Sequence, residues 1–132
     1  MNDSGAKTIL IVEDDKDILF SLNIFLESEG YNVLLAENGM AALELIQVHG
    51  VPNLILLDMK MPIMNGWEFS AEFTKKYGNK TPIIVMTAAA NVEQRAKDIG
   101  ASGYIGKPFE LDDILRSIKK FEQEQMAAPA PA

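Results

Sequence analysis

The sequence predicts a three-layer α/β domain, a doubly wound five-stranded parallel sheet with helices on both faces. Two observations carry that prediction. Short apolar runs alternate five times with segments of helical period, and strict strand-helix alternation calls for parallel strands joined by right-handed crossovers. The third run, Leu54, Ile55, Leu56 and Leu57, shows no polar alternation, so both faces of that strand are covered. It stops on a carboxylate, Asp58, which has no helix directly after it to cap.

The elements follow in order. Residues 8–12 (TILIV) read as a buried strand that ends on Glu13, Asp14 and Asp15. Ile18, Leu19, Leu22, Phe25 and Leu26 then recur at helical spacing until Gly30 closes the helix. Residues 31–36 (YNVLLA) alternate less cleanly and suit an edge strand. A helix over residues 39–49 carries Ala42, Leu43 and Ile46 on one face, and Gly50 with Pro52 ends it. After the central strand, Asn65 starts a helix holding Trp67, Phe69 and Phe73, closed by residues 77–79. Residues 82–87 (PIIVMT) are a fourth strand. Residues 91–99 form a short polar helix, expected to be the most mobile element. Residues 103–106 are a very short fifth strand. A strongly amphipathic helix runs from Glu110 to about Met126 through Leu111, Ile114, Leu115, Ile118 and Phe121.

A single domain over residues 7–126 is expected, with a disordered segment at 1–6 and a flexible alanine-proline tail at 127–132. The 132 residues suffice for a core without disulfides or metal, and the absence of cysteine removes thiolate chemistry and zinc ligation through sulfur. Twelve Lys and Arg against nineteen Asp and Glu give a net charge of -7, which argues against binding DNA or RNA and suits a metal cation or basic partners. No stretch resembles a signal peptide or a membrane span, so a soluble cytoplasmic protein is expected.

In such sheets a ligand sits beyond the carboxyl ends of the strands where strand order reverses, and for the order 2-1-3-4-5 that point lies between strands one and three. The strand ends bring together Glu13, Asp14 and Asp15, then Asp58, then Thr87, Ala88 and Ala89, and finally Lys107 before Pro108. Converging carboxylates repel unless a cation intervenes, and few carboxylates with several waters suit Mg²⁺. A metal, a lysine and a hydroxyl around one carboxylate can hold a phosphoryl group, with the carboxylate as its nucleophile. Taken singly, most of these residues have ordinary readings. Asp14 or Asp15 serves equally well as a helix N-cap, Thr87 ends a strand, and a lysine is usually solvated. Asp58 has the weakest such reading. Met59, Met61, Met64 and Trp67 read as loop packing and helix core rather than a binding patch.

The motifs ILIVEDD, LILLDMKMPIMNGWE, PIIVMTA and GASGYIGKPF, in that order and spacing, resemble the receiver domain of two-component response regulators across roughly residues 8–121. The resemblance implies the flavodoxin-like receiver fold with strand order 2-1-3-4-5. It makes Asp58 the phosphoacceptor, taking a phosphoryl group from a histidine kinase or phosphotransfer protein. Asp14, Asp58 and the Lys60 backbone carbonyl would bind Mg²⁺, or Mn²⁺ in its place, with Glu13 acting through a water. Lys107 would pair with a phosphoryl oxygen, ahead of a cis bond to Pro108. Thr87 would turn to the phosphoryl group beside small Ala88, and Tyr104 would swing inward. The fourth helix, fifth strand and fifth helix would then change the surface they offer a downstream protein. Lys60 and Ala89 lie where side chains govern water access, and Asp15 has helix capping as its role.

The resemblance implies a signalling domain that assists its own phosphorylation and dephosphorylation rather than an enzyme, binding neither nucleic acid nor membrane. A receiver cut from a larger regulator with a DNA-binding or enzymatic output domain is the alternative. His49, at a helix end before Gly50, does not suit a phosphohistidine relay. A flavin carrier would need a Ser/Thr/Gly-rich phosphate loop where Glu13, Asp14 and Asp15 stand. No GxxxxGK occurs.

Overall fold

The computed structural model describes residues 6–88 and 92–127. Expectations placed on residues 1–5, on Ala89, on the helix start at Asn91 and on residues 128–132 lie outside the described residues. Five strands, β1 (Thr8–Val12), β2 (Asn32–Ala36), β3 (Leu54–Asp58), β4 (Ile83–Thr87) and β5 (Gly103–Gly106), alternate with five helices. These are α1 (Lys16–Ser28), α2 (Gly39–His49), α3 (Gly66–Tyr77), α4 (Val92–Asp98) and α5 (Leu111–Ala127). All strand pairings are parallel, in the order β2-β1-β3-β4-β5. The edge position expected for residues 31–36 is where β2 lies.

The apolar runs hide a period of two. Leu10, Val12, Ile55, Leu57 and Val85 face a layer built with Ala42, Ile46, Phe69, Phe73 and Ala96, from α2, α3 and α4. Ile9, Ile11, Leu54, Leu56, Ile84 and Met86 face Leu19, Leu22, Leu26, Ile114 and Ile118, from α1 and α5. Every residue of β3 is buried, as its unbroken hydrophobicity requires. Fully burying one such side chain contributes about 1.5–3 kcal/mol.

Two strand boundaries differ from the sequence reading by one residue, for local reasons. Tyr31 belongs to the turn after α1, its N–H bonded to the Leu26 carbonyl, while its hydroxyl donates to Glu122 Oε1 at 2.7 Å. Pro82 has no N–H to contribute to a ladder, so β4 starts at Ile83 while the Pro82 carbonyl accepts from Ile55. At the other end of the fold, Asn65 caps α3 in a reciprocal pair. Its side chain accepts from the Glu68 N–H at 2.9 Å and Glu68 Oε1 accepts from the Asn65 N–H at 3.0 Å. Met59 is buried, and Met61, Met64 and Trp67 pack against the same layer, as loop and helix core.

Candidate functional site: an acidic pocket at the carboxyl edge of the sheet

β1 and β3 are neighbours, so the residues that end them meet. Ligand oxygens of Glu13, Asp14 and Asp58 all lie within 4.8 Å of one another. Glu13 and Asp58 are buried and Asp14 is exposed, so the group opens to solvent on one side. The ambiguity over capping resolves by division of labour. Asp15 Oδ1 accepts from the N–H groups of Asp17 and Ile18, at 2.9 and 3.2 Å, and so caps α1, which leaves Asp14 to the pocket.

Asp58 is held in place through its own backbone. The α3 N-terminus passes so near that a Cβ on Gly66 would stand 2.8 Å from Met59 Cα and 2.9 Å from the Asp58 carbonyl oxygen. Only glycine permits that approach, and the Gly66 N–H bonds the Met59 carbonyl at 3.0 Å. Between them, Ile63 adopts φ 69° in a tight turn whose ends are joined by Met64 N–H to the Pro62 carbonyl at 2.7 Å. A β-branched residue with positive φ is strained, and this one is also exposed.

Lys107 follows β5, its N–H bonded to the Thr87 carbonyl, and its peptide bond to Pro108 is cis. Its ammonium lies beside Asp58, 3.7 Å from Oδ1, and closer still to Glu13, 2.7 Å from Oε1. Glu13 is sealed from water, so its charge depends more on a protein partner than that of Asp58 does. Thr87 is buried at the end of β4, one place past Met86, which is level with Asp58. Ala88 is exposed beside it. Tyr104 on β5 is 46% exposed, its ring turned to solvent rather than inward.

Electrostatically the pocket is short of positive charge. Burial first, and then the neighbouring Glu13 carboxylate, pushes the Asp58 carboxyl up to about 7, against the opposing pull of Lys107 and of a hydrogen bond from the Lys60 backbone. Burial likewise raises Glu13, with Lys107 opposing. A donor set made only of oxygens, three carboxylates with one ammonium that pairs with two of them, fits a hard divalent cation. Sequence reasoning did not identify Gly66 as a site residue. The signal was its place one residue after an N-cap, eight after the carboxylate.

A family model described as the response regulator receiver domain matches residues 9–119. Sporulation initiation phosphotransferase F of Bacillus subtilis is 37% identical over 115 residues, covering 86% of this chain and 91% of that protein. The response regulator MprA of Mycobacterium sp. (strain KMS) is 37% identical over 113 residues, covering 84% of this chain; the chain spans only 48% of that protein, and about half of several other curated relatives. Among solved structures, a CheY-like response regulator receiver domain protein from Methanospirillum hungatei superposes with a TM-score of 0.85 at 35% identity, over 95% of this chain and 100% of that one. No helix among the described residues is long and apolar enough to cross a membrane. Fold, acidic pocket and matched length agree: this chain belongs to the response regulator receiver domain family, the signalling domains of two-component systems.

Proposed function

We propose that Asp58 is the phosphoacceptor of a two-component phosphorelay, and that its phosphorylation changes the surface formed by α4, β5 and α5. The observation that carries this reading is a buried carboxylate at the end of the central strand, flanked by two further carboxylates and one ammonium. An Asp58 oxygen attacks phosphorus in line with the donor's leaving group, and the bond to that group breaks. The pinned β3–α3 junction fixes the direction of attack. Lys107, already 3.7 Å from Asp58, reaches the added phosphoryl oxygens and trades part of its pairing with Glu13 for them. Thr87 donates its hydroxyl to the same group beside Ala88, which leaves room, and Tyr104 turns in from solvent behind it.

Asp14, Asp58 and the Lys60 carbonyl would hold Mg²⁺, with Glu13 behind them; Mn²⁺ suits the same oxygens. When bound, the ion supplies the positive charge that keeps Asp58 ionised near neutral pH and offsets charge on the phosphoryl oxygens. The phosphodonor is a histidine kinase or phosphotransfer protein, and the acceptor surface serves a downstream protein, with no direct contact to nucleic acid or membrane. A cytoplasmic place goes with this role. The domain also assists its own phosphorylation and dephosphorylation, Lys60 and Ala89 setting water access.

The test is intact mass after incubation with acetyl phosphate and Mg²⁺. Wild type gains one phosphoryl group, Asp58→Asn gains none, and a chelator abolishes the gain. Equal gain by Asp58→Asn would remove Asp58 as the acceptor. The length of relatives such as MprA keeps a second reading, a receiver that works joined to a DNA-binding or enzymatic output domain. Genomic sequence beyond Ala132 decides it.

A further inference from the structure

The chain has one tryptophan, and it stands where the pinned and the movable parts of the domain meet. Trp67 follows Gly66 in the first turn of α3, so its position is fixed relative to Asp58 by the same close approach that places the carboxylate. The indole packs against the α2/α3 layer of the core. Over its ring lies the guanidinium of Arg95 from α4, with Cζ 5.1 Å from the centroid. Arg95 Nε is buried and has no hydrogen-bond partner among the described residues, so a cation is held there against an aromatic ring rather than by a hydrogen bond at that atom.

The remaining charged groups of α4 find partners within the helix itself. Lys97 pairs with Glu93 at 3.6 Å, and the Gln94 amide donates to Asp98 at 3.0 Å. Among the described side chains of α4, buried Ala96 and Arg95 tie the helix sideways to the rest of the molecule. The tie ends on α3. α4 begins at Val92, five residues after Thr87, the last residue of β4.

We propose that Arg95 on Trp67 is a clamp that holds α4 in its resting position and sets how much of the phosphoryl group's binding energy is needed to release the signalling surface. Arg95 is a positioning residue: it touches neither the phosphoryl group nor its ligands. The inference rests on the phosphoacceptor reading and deepens it. A contact made at rest and broken in the shifted form lowers the population of the shifted form. By linkage it weakens phosphoryl binding at Asp58 by the same factor. One partly desolvated cation–π contact corresponds to a factor of about 3 to 10.

The experiment uses beryllium fluoride with Mg²⁺, a stable mimic of a carboxylate-bound phosphoryl group, followed by Trp67 fluorescence. Intact-mass phosphorylation by acetyl phosphate is run in parallel. Wild-type emission changes on saturation as the cation leaves the ring. Arg95→Met, which keeps the stem and removes the charge, shows the shifted emission before any addition and binds beryllium fluoride about 3- to 10-fold more tightly. Arg95→Lys falls between the two. A residue that only stabilised the fold would lower the melting temperature without tightening the site. If Arg95→Met does not fold, Trp67→Phe, a weaker ring for the cation, must bind beryllium fluoride more tightly than wild type in calorimetric titration. Unchanged or weaker binding by the folded variant, or wild-type emission indifferent to saturation, overturns the clamp and leaves the phosphoacceptor reading standing. A wild type that neither gains phosphoryl mass nor binds beryllium fluoride overturns both.

Discussion

The β3–α3 junction and the α4–β5 side of the sheet come from the same alternation of strand and helix, yet they are held very differently. β3 is buried at every position, and α3 has twelve residues, a reciprocal N-cap and the fully buried, stacked rings of Phe69 and Phe73. β5 has four residues, none buried, and α4 has seven. The difference suits the roles proposed for the two regions. A nucleophile works only if its geometry is fixed before the substrate arrives, whereas a surface that reports on it must be displaceable at little cost. Stability is therefore concentrated at the junction that carries Asp58 and withheld from the α4–β5 side.

The comparison can be broken by substitution. Gly66→Val forces a side chain into the Met59 and Asp58 backbone and is expected to cost at least about 3 kcal/mol, read by denaturant unfolding. A cost near zero would show that the junction is not tightly held. Removing the cation comes next. Asp58, pushed up to about 7, and Glu13, also raised, keep protons when folded that they lose when unfolded. Between about pH 4 and pH 7 the metal-free folded state therefore binds more protons than the unfolded one, and its stability falls by a few kcal/mol as pH rises. Melting temperatures in chelator at pH 5 and pH 7.5 measure this, and added Mg²⁺ should recover most of the loss; stability that rises across the window would reverse the assignment.

Asn65→Ala removes the cap of α3 and should cost about 1 kcal/mol in the same unfolding assay. Tyr104→Ala, on the loosely held side, should change stability by no more than about 0.5 kcal/mol. If the tyrosine substitution proved as damaging as that of Gly66, the contrast between the two regions would disappear.

Much of this was legible in the sequence because it is written locally. Four unbroken apolar residues before Asp58 placed the central strand, and carboxylates directly after apolar runs marked the sheet edge where the site lies. What was illegible depends on distances between elements. Whether Lys107 settles on Glu13 or on Asp58 is decided by 2.7 against 3.7 Å and by which carboxylate is sealed from water. Arg95 on Trp67 joins residues whose own periodicity suggested only a polar helix and a core aromatic.

The hydrogen bond from Tyr31 to Glu122 has a consequence for the order in which the domain can be made. It ties the turn before β2 to the last helix, and the layer beneath it is completed only when Ile114 and Ile118 arrive to cover Ile9, Ile11 and Leu22. The opposite layer draws on α2, α3 and α4, which leave the ribosome earlier. A nascent chain thus finishes one side of its sheet while the other still waits for the final helix, so that half folds last. A chain truncated before Ile114 is expected to keep compact secondary structure and to bind a hydrophobic dye that the full chain excludes.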